Sequence, residues 1–263
     1  MLRIALIQQR CEKAAIEQNL ESLSQYLAEA ARRNVDIAGF PEMSITGYAD
    51  PNRYPEAVIR LDGPEMREFL RRTESFPGTV LAGLIEENLG SKPFITHVAA
   101  RRGVLEGVYR KVTIADDETA WFSPGDVIPL FQHDGIPFGI SICADINNPQ
   151  VFSALRRQGA RIVFELAAPG LYGDQATRDW QSGYRWWEGE CQKNLSAYAR
   201  EHGYWVAVAT QAGRTIDEDF PGGGYLFAPG GKRVFATCNE LPCAVFLAID
   251  LEKNQVSDCE IIS

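Results

Sequence analysis

Short apolar runs alternate along the chain with longer segments in which apolar residues recur every three or four positions. Ile4–Ile7 reads as a first strand, and from Ala15 to Arg33 the residues Ile16, Leu20, Leu23, Leu27, Ala30 and Ala31 build one apolar helical face. Val35–Phe40 then reads as a strand ending in Pro41-Glu42. Gly63-Pro64 opens a second helix through Phe69 and Leu70, and Thr79–Ile85 is another strand. Phe94–Arg101 and Val104–Arg110, separated by Arg102-Gly103, form the two arms of a hairpin. Pro137–Cys143 is predicted as a strand, Pro149–Gln158 as a helix and Arg161–Leu166 as a buried strand. A loop rich in Gly and Asp leads to a long helix ending near His202-Gly203, and Tyr204–Thr210 follows as a strand. In the last third, Gly222-Gly223-Gly224 and Pro229-Gly230-Gly231 separate apolar runs that read as antiparallel strands.

No repeat, low-complexity tract or linker interrupts this order. Strands in sequential pairs, mixed with strands separated by helices, imply an α+β chain with a mixed sheet or a pair of sheets covered by helices. With 263 residues, 45% of them hydrophobic, the economical reading is a single domain over 1–263, its core about 2–250 and a short C-terminal extension after it.

Charge narrows the function classes. Asp and Glu outnumber Lys and Arg 35 to 26, a formal net charge of -9, and a nucleic-acid or anionic-membrane binder needs a basic face instead. The first apolar run is too short for a signal-peptide core, and no segment approaches the roughly 18 apolar residues of a membrane span. A cytoplasmic protein is therefore expected. The six cysteines (11, 143, 191, 238, 243 and 259) include no CxxC pair, Cys238 and Cys243 being the nearest two, and His97, His133 and His202 are scattered. Reduced thiols and no metal are the expectation.

Three ionisable residues sit at comparable places. Glu42 follows one predicted strand, Lys111 follows another, and Cys143 ends a third. Taken singly, Glu42 reads as a turn carboxylate, Lys111 as a strand-end lysine and Cys143 as a small core residue. If the three strands share a sheet and point the same way, their ends bring the side chains into one crevice. A carboxylate can then take the proton of the thiol, while an ammonium assists the thiolate and a developing oxyanion together with the backbone N–H of Ala144. That chemistry suits acyl transfer from carbon bound to nitrogen.

Five stretches then match one family in order. Gly39-Phe40-Pro41-Glu42 runs into Thr46-Gly47-Tyr48, and Tyr109-Arg110-Lys111 follows. Glu118-Thr119-Ala120-Trp121-Phe122 runs to Pro124-Gly125, Cys143-x-Asp145 runs to Pro149, and Gly223-Gly224-Tyr225 leads to Pro229-x-Gly231. On these the chain resembles the nitrilase superfamily of carbon–nitrogen hydrolases. The resemblance implies a four-layer α-β-β-α sandwich, Cys143 as nucleophile, Glu42 as general base and then acid, Lys111 as stabiliser of the tetrahedral intermediate, and Glu118 holding or protonating within the cluster. It implies a small amide or carbamoyl substrate, hydrolysed through a thioester without a cofactor. A nitrile-cleaving enzyme and a catalytically silent scaffold of the same fold are the alternatives.

Ala144 stands where the family often carries a bulky aromatic, Asn147 and Asn148 where an Arg and an aromatic are common, and Thr113 where a His is common. These departures bear on substrate more than on mechanism. Asp145 reads as a cap for the helix beginning near Pro149. Ala167–Asp174 is expected to form the pocket rim, with Tyr48, Ala144 and Tyr172 as substrate contacts. Tyr184, Trp186 and Trp187 are dense for an exposed helix and point to core or subunit interface. A homodimer or larger homo-oligomer is what the resemblance implies.

Overall fold

The computed structural model describes residues 1–171, 173–237 and 241–262, so Tyr172 and Cys238 lie outside the described residues. The first apolar run forms β1 (Leu2–Gln8), and α1 (Ile16–Arg32) follows with Leu20, Leu23, Leu27 and Ala30 buried. Next come β2 (Ile37–Gly39), β3 (Val58–Ile59), α2 (Pro64–Thr73), β4 (Thr79–Glu86), β5 (Phe94–Arg101) and β6 (Val104–Arg110). The middle of the chain gives β7 (Phe131–His133), β8 (Ile136–Ile142), α3 (Pro149–Gln158), β9 (Ile162–Ala167), α4 (Trp180–His202) and β10 (Trp205–Thr210). The rest is strand: β11 (Ala212–Arg214), β12 (Asp219–Pro221), β13 (Gly224–Phe227), β14 (Arg233–Ala236), β15 (Cys243–Asp250) and β16 (Gln255–Ile262).

Two large sheets result among the described residues. One has the order β16-β15-β1-β2-β4-β5-β6, with β3 on β4; the other runs β14-β13-β10-β9-β8-β7. Each has a parallel centre, β1-β2-β4 and β8-β9-β10, and antiparallel flanks. Alternate residues of the central strands face a shared core between the sheets, including Leu6, Leu81, Ile140, Phe164 and Ala207. The opposite faces pack against α1 and α2 on one side and α3 and α4 on the other. This is the α-β-β-α sandwich. No helix among the described residues is long and apolar enough to cross a membrane.

Most predicted elements are present, with differences at their ends. The strand expected over Val35–Phe40 is paired over Ile37–Gly39 alone. The hairpin arm β7 has no periodicity of its own and is set by the Asp134-Gly135 turn, where both residues have positive φ. Residues beyond 250, expected as an extension, supply β16, paired with β15 along its length. The two later helices begin on side-chain caps: Asn148 accepts from Gln150 N at 3.1 Å and Asp179 from Gln181 N at 3.0 Å. Both end on left-handed glycines, Gly159 and Gly203.

Candidate active site

Glu42, Lys111 and Cys143 do converge, but not from one sheet as the sequence suggested. Glu42 follows β2 and Lys111 follows β6 in the first sheet, whereas Cys143 follows β8 in the second. The segments that leave β2 and β9 meet between the sheets, where the backbone N–H of Ala168, just past β9, donates to Glu42 Oε2 at 3.1 Å. Two glycines shape the Glu42 turn. Gly47 has φ +73° and passes so close to Glu12 that a Cβ would lie 2.3 Å from its carbonyl oxygen. On β4, a Cβ at Gly83 would lie 2.3 Å from Met43 N.

The centre is a buried ammonium between two carboxylates. Lys111 Nζ donates to Glu42 Oε1 at 2.9 Å and to Glu118 Oε2 at 2.8 Å. The remaining acceptors are also used: Tyr48 donates to Glu118 Oε1 at 2.8 Å and Ala115 N to Glu118 Oε2 at 3.1 Å. Burial alone would lower the Lys111 pKa, but the charges of Glu42 and Glu118 outweigh it and hold the ammonium well above its usual range. Burial raises the Glu42 carboxyl above its ordinary value, with Lys111 opposing. The Cys143 thiol is a further neighbour of Glu42 and favours its ionised form. Cys143 itself is pushed well up, first by burial and then by the Glu42 charge, with Lys111 opposing. Its resting state is a thiol beside a base, since the lysine charge is already engaged by two carboxylates.

Cys143 leaves β8 with φ 45°, a left-handed conformation uncommon for a non-glycine residue and worth about 1–3 kcal/mol of strain. Asp145 holds that turn. It accepts from Ile142 N at 3.0 Å, Thr113 N at 2.9 Å and Tyr109 Oη at 2.7 Å, and it is fully buried. The expectation that Asp145 caps α3 is therefore corrected: Asn148 is the cap, because it directly precedes the first helical turn. Asn148 also donates to Thr113 Oγ1 at 3.0 Å, so two of the residues that depart from the family pattern support each other.

A cavity of about 500 Å³ opens above Cys143. Ala144, Tyr48 and Ala168–Leu171 line it, and the Tyr48 hydroxyl is committed to Glu118. Trp186 and Trp187 also line it, rather than serving only as core, and Trp187 Nε1 donates to Thr210 Oγ1 at 2.8 Å. Sequence reading missed Lys13, Asp117, Glu190 and Glu218, which have no motif context and reach the cavity only through the fold. It also missed Glu165. This residue pairs in register with Ser141 beside it on β8, and the two side chains are hydrogen bonded. Glu165 is fully buried, its other oxygen has no partner, and burial pushes its carboxyl well above the usual range. The histidines stay outside the site. His97 is buried with both ring nitrogens unpartnered and pushed down to about 3 by burial, His133 meets Thr79 at 2.9 Å, and His202 stacks on Tyr198. Among the described residues no group of three or more His, Cys, Asp or Glu is arranged to hold a metal ion.

Residues 3–255 match the model of the carbon–nitrogen hydrolase family. The chain belongs to that family. Among carbon–nitrogen hydrolase relatives, it is 24% identical over 255 residues to a Schizosaccharomyces pombe protein named "Probable nitrilase", covering 95% of this chain and 89% of that one. It is also 28% identical over 174 residues to the glutamine-dependent NAD(+) synthetase of Thermotoga maritima, covering 64% of this chain and 30% of the synthetase. The chain thus spans about a third of that enzyme's length. Among solved structures, the amidase of Nesterenkonia sp. AN1 superposes with a TM-score of 0.80 at 20% identity, covering 96% of this chain and 92% of the amidase. In that amidase the active-site cysteine carries the acetamide moiety of fluoroacetamide.

Proposed function

We propose that the protein hydrolyses the carbon–nitrogen bond of a small amide or carbamoyl compound through a thioester on Cys143. The observation that carries this reading is the buried Lys111 ammonium, fixed between Glu42 and Glu118, with Glu118 and Cys143 lining one cavity. As the bond from Cys143 Sγ to the carbonyl carbon forms, Glu42 takes the thiol proton. Lys111 and the Ala144 N–H donate to the carbonyl oxygen as it gains charge. Glu42 then gives its proton to the departing nitrogen, the carbon–nitrogen bond breaks, and ammonia or an amine leaves. A water attacks the thioester, Glu42 accepts a proton from it, and as the carbon–sulfur bond breaks Glu42 returns that proton to the sulfur, restoring the thiol and releasing the acid. Glu118 keeps Lys111 in place, and Tyr48 keeps Glu118 in place.

The raised Glu42 carboxyl supports the assignment, because raising its pKa makes the carboxylate a stronger base toward the thiol proton. The covalently labelled cysteine of the Nesterenkonia amidase supports the same role for Cys143. The test is a panel of small amides, carbamoyl compounds and nitriles read by ammonia release, with Cys143→Ala as control. Turnover of amides that disappears in Cys143→Ala is expected, whereas turnover of nitriles alone would make the protein a nitrilase. Iodoacetamide labelling followed by mass spectrometry gives a second readout. Should Cys143 react no faster than the exposed Cys259 and no substrate turn over, the protein is a silent scaffold and the proposal fails.

A further inference from the structure

The cavity has a charge imbalance that the triad does not require. Among the described residues its lining holds five acidic ones, Asp50, Asp117, Glu118, Glu190 and Glu218, against two basic ones, Lys13 and Arg53. Both bases already face carboxylates. Lys13 Nζ lies 2.7 Å from Asp217 and 3.0 Å from Glu218, with its side chain 10% exposed. Arg53 reaches Asp217 at 3.5 Å and lies over the Tyr54 ring. Deeper in, Lys111 is shared by Glu42 and Glu118. By contrast, neither Asp117 nor Glu190 forms an ion pair among the described residues; Glu190 accepts only a weak 3.3 Å bond from Asn194.

The same cavity is walled by aromatic rings, Tyr48, Trp121, Trp186 and Trp187. A ring face attracts a cation, and most strongly so for tryptophan. A concave site also focuses the field of its charges on whatever enters. An anionic group entering here would meet excess negative charge and aromatic rings, while Lys13 is already held between two carboxylates and Arg53, 65% exposed, has only a long contact to Asp217. A cationic group would meet uncompensated carboxylates and rings together.

Resting on the hydrolase reading above, we infer that the substrate's non-reacting end is cationic: an amide or carbamoyl compound carrying an ammonium or guanidinium group, recognised by Asp117, Glu190 and the tryptophan wall. The volume of about 500 Å³ suits such a small, extended molecule. The reaction is unchanged; the charge acts on binding and orientation of the acyl chain.

The test uses isosteric amides and the whole chain. At low ionic strength, 5-aminopentanamide, hexanamide and adipic monoamide differ essentially in carrying an ammonium, a methyl or a carboxylate at the far end. Shorter and longer ω-amino amides allow for the unknown depth. For the best length, kcat/KM is expected to be at least tenfold higher for the cation than for the methyl isostere and lowest for the anion. The ratio should shrink with added salt and in the Asp117→Asn/Glu190→Gln double variant. Equal or better use of the methyl or carboxylate compound at every length would overturn the inference, and so would an unchanged ratio in the double variant. A second arm does not need turnover. Cys143 modification by 2-aminoethyl methanethiosulfonate is expected to be at least tenfold faster than by the 2-sulfonatoethyl reagent, each rate normalised to Cys259. Equal normalised rates sink the cationic site. A strong charge preference in labelling with no amide hydrolysed at all would instead sink the hydrolase reading and leave the cationic site standing.

Discussion

Lys111 and Glu42 meet at 2.9 Å with neither side chain exposed to solvent. Such a pair is favourable only when the remaining donors and acceptors around it are satisfied, because both charges have been taken out of water. Here the Ala168 N–H, the Tyr48 hydroxyl, the Ala115 N–H and Glu118 complete the cluster. The ammonium is thereby fixed in place before any substrate arrives. Fixed charges of this kind need no reorganisation when the reaction develops a charge of its own.

Removing that cation leaves two buried carboxylates with none between them. Lys111→Met is expected to lower kcat/KM for the best amide by at least about a hundredfold. It should also destabilise the fold by about 3–5 kcal/mol, less whatever protonation of Glu42 and Glu118 recovers. Ammonia release and urea denaturation check the two effects, and near-normal turnover in Lys111→Met would rule out its use in the reaction.

The pH dependence of activity follows from Glu42. In the proposed mechanism it must be ionised to take the thiol proton, and burial raises its pKa above the ordinary 4.5. Activity should therefore rise with pH through a midpoint above 4.5, seen in the acid limb of kcat/KM, and Glu42→Gln should abolish it. An acid limb at or below 4.5 would mean that some other group limits the reaction.

Gly83 governs the same carboxylate from below. A Cβ there would lie 2.3 Å from Met43 N and 2.9 Å from His97 Nε2, so Gly83→Ala must push the Glu42 turn outward. A displacement of that order can cost about a hundredfold in rate. Gly83→Ala is expected to lose kcat in that range while remaining folded by circular dichroism, and unaltered kcat would show that the turn tolerates the shift.

Glu165 sets a stability trend instead. Its folded pKa lies well above the ordinary 4.5, so above that pH the native state holds a proton that the unfolded chain releases. Stability contributed at this position is present below 4.5 and declines as pH rises toward the folded value. Glu165→Gln lacks this penalty. Its melting temperature relative to the wild type should therefore climb between pH 5 and pH 8, and a flat difference across that range would argue that Glu165 is not held as the neutral acid.

How much was legible in the sequence varies from element to element. Period-three and period-four spacing located α1, and Pro149 and His202-Gly203 marked the start of α3 and the end of α4, because these are local properties of the backbone, whereas the cap of α3 was read as Asp145 and is Asn148. The strand β7 was not legible, since three residues carry no period and its pairing is set by a turn. Cys143 was read as the last residue of a strand, yet it lies one step beyond. The bonds that hold its positive φ come from Asp145, and those of Asp145 come from Tyr109 and Thr113 on a distant strand and loop.

The sequence by itself singled out the residues to which the proposed chemistry is assigned: a glutamate, a lysine and a cysteine each placed at the end of an apolar run, with Glu118 close behind. Alternating and helical periods, which dictate the faces that must be buried, left a choice between one mixed sheet and a pair of sheets covered by helices, and the four layers were implied by the family resemblance alone. Only the tertiary structure decided that the cluster spans two sheets, that the lysine charge is divided between two carboxylates, and that Asp117, Glu190 and the tryptophans share one cavity with Cys143. Those are relationships between segments far apart in the chain. They arise from how two sheets pack across a common core, and no local pattern of residues encodes a distance of that kind.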